Sequence, residues 1–190
     1  NRNLFSFACC NFGISYSIQA IIGKKFLEDF CLMPASKAAM VLSIMAVIAA
    51  VFNIINASFC KMCHNHRVIF LKNAAIICLC LIFEIRTYFI AVIFFILAAN
   101  ASLTSLLVPV LHLTNRKMVS GTAVSIMNFC FFTMVGLLGT AMGFLLNLFE
   151  PEKSGNVLVY SNQSYLAVFG LFFLLSVFEL YKARKLSNKY

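Results

Sequence analysis

Apolar residues dominate long runs of this chain, and polar or charged residues gather in the short intervals between them. The runs cover about residues 3 to 22, 38 to 58, 67 to 84, 88 to 112, 121 to 149 and 164 to 182. A helix needs roughly 20 mostly apolar residues to cross a bilayer, so each run is long enough to span. The pattern predicts an all-α polytopic membrane protein whose 190 residues form a single domain of six transmembrane helices. The intervals read GKKFLEDFCLMPAS, KMCHNH, EIRT, LTNRKMVS and EPEKSGNVLVYSNQ.

Polar residues inside the runs recur at helical spacing. A polar side chain is costly in hydrocarbon unless it faces protein or a water-filled cavity, so the face it occupies is the protected one. Steps of three and four align Ala8, Asn11, Ser15 and Gln19 in the first run. They also align Ala39, Ser43, Ala46, Ala50, Asn53 and Ala57 in the second. The fourth run pairs Asn100 with Thr104, and the fifth lines up Gly121, Ser125, Asn128, Phe132, Gly136, Gly139 and Gly143. The third and sixth runs lack such a stripe, which predicts peripheral helices nearer lipid. Asn11, Ser15, Gln19, Asn53, Asn100 and Asn128 are the expected lining of a shared interior path. Gly136, Gly139 and Gly143 read instead as helix-packing positions, because small residues let membrane helices approach closely.

Charge adds orientation. Arg2, Lys61, Arg67, Arg116, Lys117, Lys182, Arg184, Lys185 and Lys189 fall on one side of six spans; Lys24, Lys25, Lys37, Arg86 and Lys153 fall on the other. Basic loops stay cytoplasmic, so both termini are expected there. The net charge of +9 is then mostly topology, and no nucleic-acid motif accompanies it. Composition agrees with lipid as the solvent: 62% of residues are hydrophobic and 11% charged, against about 45–50% and about 25% in soluble domains. No basic segment with a cleavage site precedes the first run, so no signal peptide is expected.

The segment LTNRKMVSGTAVSIMNFCFFTMVGLLGTAMG, residues 113 to 143, resembles the loop and fifth helix of the C-terminal half of a bacterial major facilitator superfamily transporter. The likeness extends over nearly the whole chain. It implies that the first, second, fourth and fifth helices surround a substrate path, with the third and sixth outside. It implies a small-molecule solute, a second six-helix half supplied by upstream sequence or a second copy, and residence in the inner (plasma) membrane. It also implies secondary active transport by alternating access, coupled to protons, with substrate held near the midplane between two halves. Two departures stand out. NASFCKMCHNHR, residues 56 to 67, keeps only the basic character of the family's loop between the second and third helices, and Leu113 replaces an acid common in relatives.

Other motifs carry less. CKMCH, residues 60 to 64, matches the haem-attachment pentapeptide, and Cys60, Cys63, His64 and His66 could be read as zinc ligands. A cytoplasmic loop is the wrong compartment for that haem, and structural zinc draws on two separated ligand pairs, so no metal or cofactor is expected. Eight cysteines lie mostly within apolar runs, where free Cys behaves as a small core residue. Glu84 and Glu179 sit near helix ends, where snorkelling or capping is expected. Lys72 is expected to snorkel and His112 to sit at the interface, while Tyr16 and Tyr165 read equally well as interface anchors. Pro109 can kink the fourth helix, and Asn162–Gln163–Ser164 forms a glycosylation sequon. No nucleophile with a base, and no phosphate loop, points to an enzyme.

Overall fold

The computed structural model describes residues 2–58, 63–102, 107–154 and 157–187. Helix α1 (Arg2–Ser17) runs through a π-helical turn (Ile18–Ile22) into α2 (Gly23–Asp29). After it come α3 (Ala35–Ser58), α4 (Cys63–Ile82), α5 (Phe89–Ala101), α6 (Leu107–Thr114) and α7 (Lys117–Leu146). A hairpin of β1 (Glu152–Ser154) and β2 (Val157–Val159) leads into α8 (Asn162–Ser187).

The chain is mostly helical. Among the described residues, three helices are long and apolar enough to cross a membrane: Ala35–Ile55, Met118–Leu146 and Asn162–Tyr181. At about 1.5 Å rise per residue, the shortest of them covers roughly the 30 Å of a hydrocarbon core. The apolar stretches Leu71–Ile82 and Phe89–Ala101 are shorter. The fourth predicted run is recorded as two helices, α5 and α6, and residues 103–106, with Thr104 among them, lie outside the described residues.

Two predicted loops turn out to be ordered elements. The first interval was expected to break the chain at residue 23, yet the helix continues to Asp29. Lys24 and Lys25 pair with Glu28 and Asp29 one turn on, at 3.7 and 2.8 Å, while Phe26 and Leu27 on the opposite face are fully buried. A charged sequence with an apolar face is helix, whatever its hydropathy. The interval before α8 holds the antiparallel hairpin, pairing Glu152 with Val159, Lys153 with Leu158 and Ser154 with Val157. The β-branched Val157 and Val159 suit a strand, so the all-α expectation is amended by one small sheet.

The π-helical turn solves a phase problem. Ile14, Ile18, Ile22, Phe26 and Phe30 are all buried in one cluster, and they recur every four residues. In an α-helix of 3.6 residues per turn such a row drifts by roughly 40° per step. The wider turn takes up most of that drift and keeps five residues on one face. Gly23 closes it: its N–H donates to the Ile18 carbonyl, and a Cβ there would lie 2.1 Å from that oxygen.

The main core joins α2, α5 and α8 through aromatic rings. Phe26 stacks on Phe30 and Phe94 at 5.4 and 5.9 Å and meets Tyr165 and Phe169 at 5.2 and 4.7 Å. Helix α8 packs most extensively on α4 and α1. It is therefore half core, with Leu174, Val177, Phe178 and Tyr181 left outward. Tyr165, expected at an interface, is 0% exposed, and Glu179, expected to snorkel, is buried at 5%. Lys72 and His112 are exposed, and the His112 ring is hydrogen-bonded to the Ser120 hydroxyl at the head of α7.

One buried carboxylate fastens the first helical rod to the last. Asp29 Oδ2 accepts from the Tyr165 hydroxyl at 2.8 Å and from the Tyr160 N–H at 3.0 Å, and Oδ1 accepts from Lys25 Nζ at 2.8 Å. Nearby Cys31, in the α2–α3 connection, has its thiol pushed up to about 12 by burial, with the Cys80 thiol adding to the effect. It is an inert core thiol rather than a nucleophile. The helix ends here use left-handed residues, Leu32 and Glu84, both at φ 52°. Ile85 N–H then reaches back to the Cys80 carbonyl at 2.8 Å, a Schellman closure.

Candidate functional site

Four of the six residues expected to line a path meet in one open cleft of about 410 Å³. Ser15 and Gln19 come from the first rod, Asn53 from α3 and Asn128 from α7, with Ala101 and Ser102 at the end of α5 and Val108 from α6. Every described lining residue belongs to α1 or its π-helical turn, α3, α5 or the residue after it, α6 or α7, and none comes from α4 or α8. The volume lies in the range of small-molecule sites, which are about 300–1,000 Å³.

The polar groups of the cleft are largely unspent. Ser15 is 4% exposed, and its Oγ has no hydrogen-bond partner among the described residues. Burying a hydroxyl that way costs about 1–3 kcal/mol. Among the described residues, no hydrogen bond within the chain engages the side chains of Gln19, Asn53 or Asn128, so three amides offer both donors and acceptors to the cleft. Gln19 sits inside the π-helical turn, half-buried, while Asn53 and Asn128 are exposed.

Asn11 and Asn100 stand apart. Both are buried at 4%, neither lines the cleft, and the Asn100 amide donates to the Ile96 carbonyl at 3.0 Å. Ser102 bonds its own helix end, donating to Ala99 O at 2.6 Å. These groups tie backbone carbonyls at the end of α5.

The glycines also sort by position. A Cβ on Gly136 or Gly143 would meet no described atom within 4 Å, and one on Gly139 would touch only Ile21 at 3.7 Å. Their stripe, with Gly121, Ser125, Asn128 and Phe132, lies along the side of α7 that this chain leaves largely open. Gly13 does bring two helices together: a Cβ there would lie 2.8 Å from Met134 Cγ and 3.1 Å from Leu138 Cδ1 of α7.

Aromatic rings form the part of the site that polar-residue counting missed. Phe131, Phe12 and Tyr16 stack in a column: Phe12 lies 4.7 Å from Phe131 at 14° and 5.6 Å from Tyr16 at 19°. Phe132 meets Phe12 and Tyr16 edge-on at 5.8 and 6.4 Å. The i, i+4 spacing of Phe12 and Tyr16 beside the Asn11–Ser15–Gln19 face is the signal that was legible beforehand.

Among the described residues no group of three or more His, Cys, Asp or Glu could hold a metal ion. Cys60 lies outside the described residues, and so do the side chains of Cys63, His64 and His66. No protein family, curated protein or solved structure matches the chain.

Proposed function

We propose that this chain is one six-helix half of a secondary active transporter of the major facilitator type, rather than an enzyme, and that the cleft is its share of a solute path. In this reading all six rods span, both termini are cytoplasmic, and the protein sits in the inner (plasma) membrane of a bacterium. A second half, encoded upstream or provided by another copy, covers the open sides of α3 and α7 and completes the pocket. The observation that carries the reading is the convergence on one cleft of a buried, unpartnered Ser15 hydroxyl with three unengaged amides. Packing alone has no use for them. No carboxylate is among the described lining residues, so a proton-coupling acid is assigned to the other half.

Asn128→Leu and Gln19→Leu, made in the complete protein, should each reduce solute uptake into proteoliposomes at least tenfold while leaving expression and membrane insertion intact. Unchanged uptake in both variants would remove the site assignment. The competing reading is a helical bundle without transport. It predicts that cysteines at positions 15 and 128 stay closed to water-soluble thiol reagents.

A further inference from the structure

The same cleft carries information about its solute, and this inference rests on the transporter reading above. We infer that the solute is an uncharged planar heterocycle with a hydrogen-bonding edge, of the nucleobase or nucleoside class.

The ring column is the first ground. Phe131, Phe12 and Tyr16 lie nearly parallel, one end buried in Phe131 at 6% exposure and the other open at Tyr16, which lines the cleft at 40% exposure. A flat aromatic solute extends such a column by one more ring. Phe132, 61% exposed and edge-on to Tyr16, bounds that position at the side. Nucleobases stack on aromatic side chains because every base has a flat π face to offer. A saturated sugar ring has no π face to offer.

The polar groups supply the second ground. Gln19, Asn53 and Asn128 each present a donor and an acceptor side by side, the arrangement that pairs with the edge of a heterocyclic base. Ser15 adds a buried hydroxyl that no hydrogen bond among the described residues engages, so it can bond a solute in the cleft. Charge is the third. No described lining residue is ionisable apart from the phenol of Tyr16, so a phosphate or carboxylate would enter without a counter-ion at a cost of several kcal/mol. The site therefore selects the nucleoside over the nucleotide that contains it.

The test uses the complete protein in nanodiscs carrying Ala49→Cys, a change at a small lining residue, with labelling by a water-soluble maleimide read peptide by peptide by mass spectrometry. Tritiated adenosine and uridine are the binding probes, with glucose, phenylalanine and adenosine monophosphate as competitors. The expected result is labelling of the new cysteine in the empty protein, protection by adenosine, displacement by unlabelled nucleoside only, and affinity weakened roughly tenfold by Tyr16→Ala. Protection by glucose or phenylalanine without binding of either nucleoside overturns the solute class and leaves the solute path standing. So does labelling that no probe in the panel protects. A cysteine at position 49 closed to the reagent overturns the path itself, and the solute class with it.

Discussion

Asp29 shows how little of a residue's role is visible in its hydropathy. In the sequence it is one charge in a polar interval; in the fold its side chain is 4% exposed and gathers three donors from two helical rods and the segment after the hairpin. A carboxylate so satisfied is held in place by charge-assisted hydrogen bonds, each worth about 1.5–3 kcal/mol. Tyr165→Phe removes one of them and keeps the ring that packs on Phe26. It should lower the stability of the purified protein by roughly 1.5–3 kcal/mol, read as a lower midpoint in thermal unfolding in detergent, with solute affinity unchanged. A midpoint equal to that of the unaltered protein would show that Tyr160 and Lys25 suffice. Nothing in the spacing of residues 29, 160 and 165 announces the contact, because it is made across 131 and 136 positions of chain. Ser15, Gln19, Asn53 and Asn128 were legible for the opposite reason. In lipid a polar side chain must have a protected face, and helical phase alone tells which face that is.

Among the elements, the first rod repays the closest reading. Counting at 3.6 residues per turn groups Ser15 with Gln19, which do share the cleft, and with Asn11, which does not line it, and the same count cannot hold Ile14 through Phe30 on one face. The π-helical turn reconciles the two, and Gly23 is the residue it requires. Gly23→Ala puts a methyl group 2.1 Å from the Ile18 carbonyl oxygen, so the turn must open or relax toward α. The expected cost is roughly 1–3 kcal/mol, as for other overpacked sites, together with a loss of solute affinity, because Gln19 lies within the turn. Gly170→Ala, where a Cβ meets nothing, is the matched control and should leave both properties unchanged. Equal behaviour of the two variants would exclude the turn as a positioning device. The element boundaries that sequence misplaced, at residues 23 and 152, are those where ion pairs and strand pairing override hydropathy.

At the scale of the whole molecule, three helices satisfy the length and composition of a membrane crossing, and the other rods are part of the proposal. The arrangement makes a claim about sides. Residues 115 and 153 flank α7, whose 30 residues extend about 45 Å, so in the proposed topology the two positions face opposite compartments. Asn115→Cys should label only from the cytoplasm in inverted vesicles, and Lys153→Cys only from outside in intact cells. Labelling of both from one side would overturn the six-span topology. The helical build and the three long apolar helices were legible in the sequence as runs, since lipid imposes the same demands on every crossing helix. The aromatic centre that joins α2, α5 and α8 was not legible, because Phe occurs 21 times in this chain and hydropathy gives each the same value.

The open side of α7 has a mechanical consequence. Bulky side chains on facing helices interdigitate, and each knob seated in its hole fixes the register of the pair. Gly121, Ser125, Gly136, Gly139 and Gly143 provide scarcely any knobs. Past Phe132, which projects from the same stripe at 61% exposure, a helix laid along Gly136, Gly139 and Gly143 finds a smoother track, along which a shift of an ångström or two disengages few contacts. The surface is built less as a joint than as a bearing.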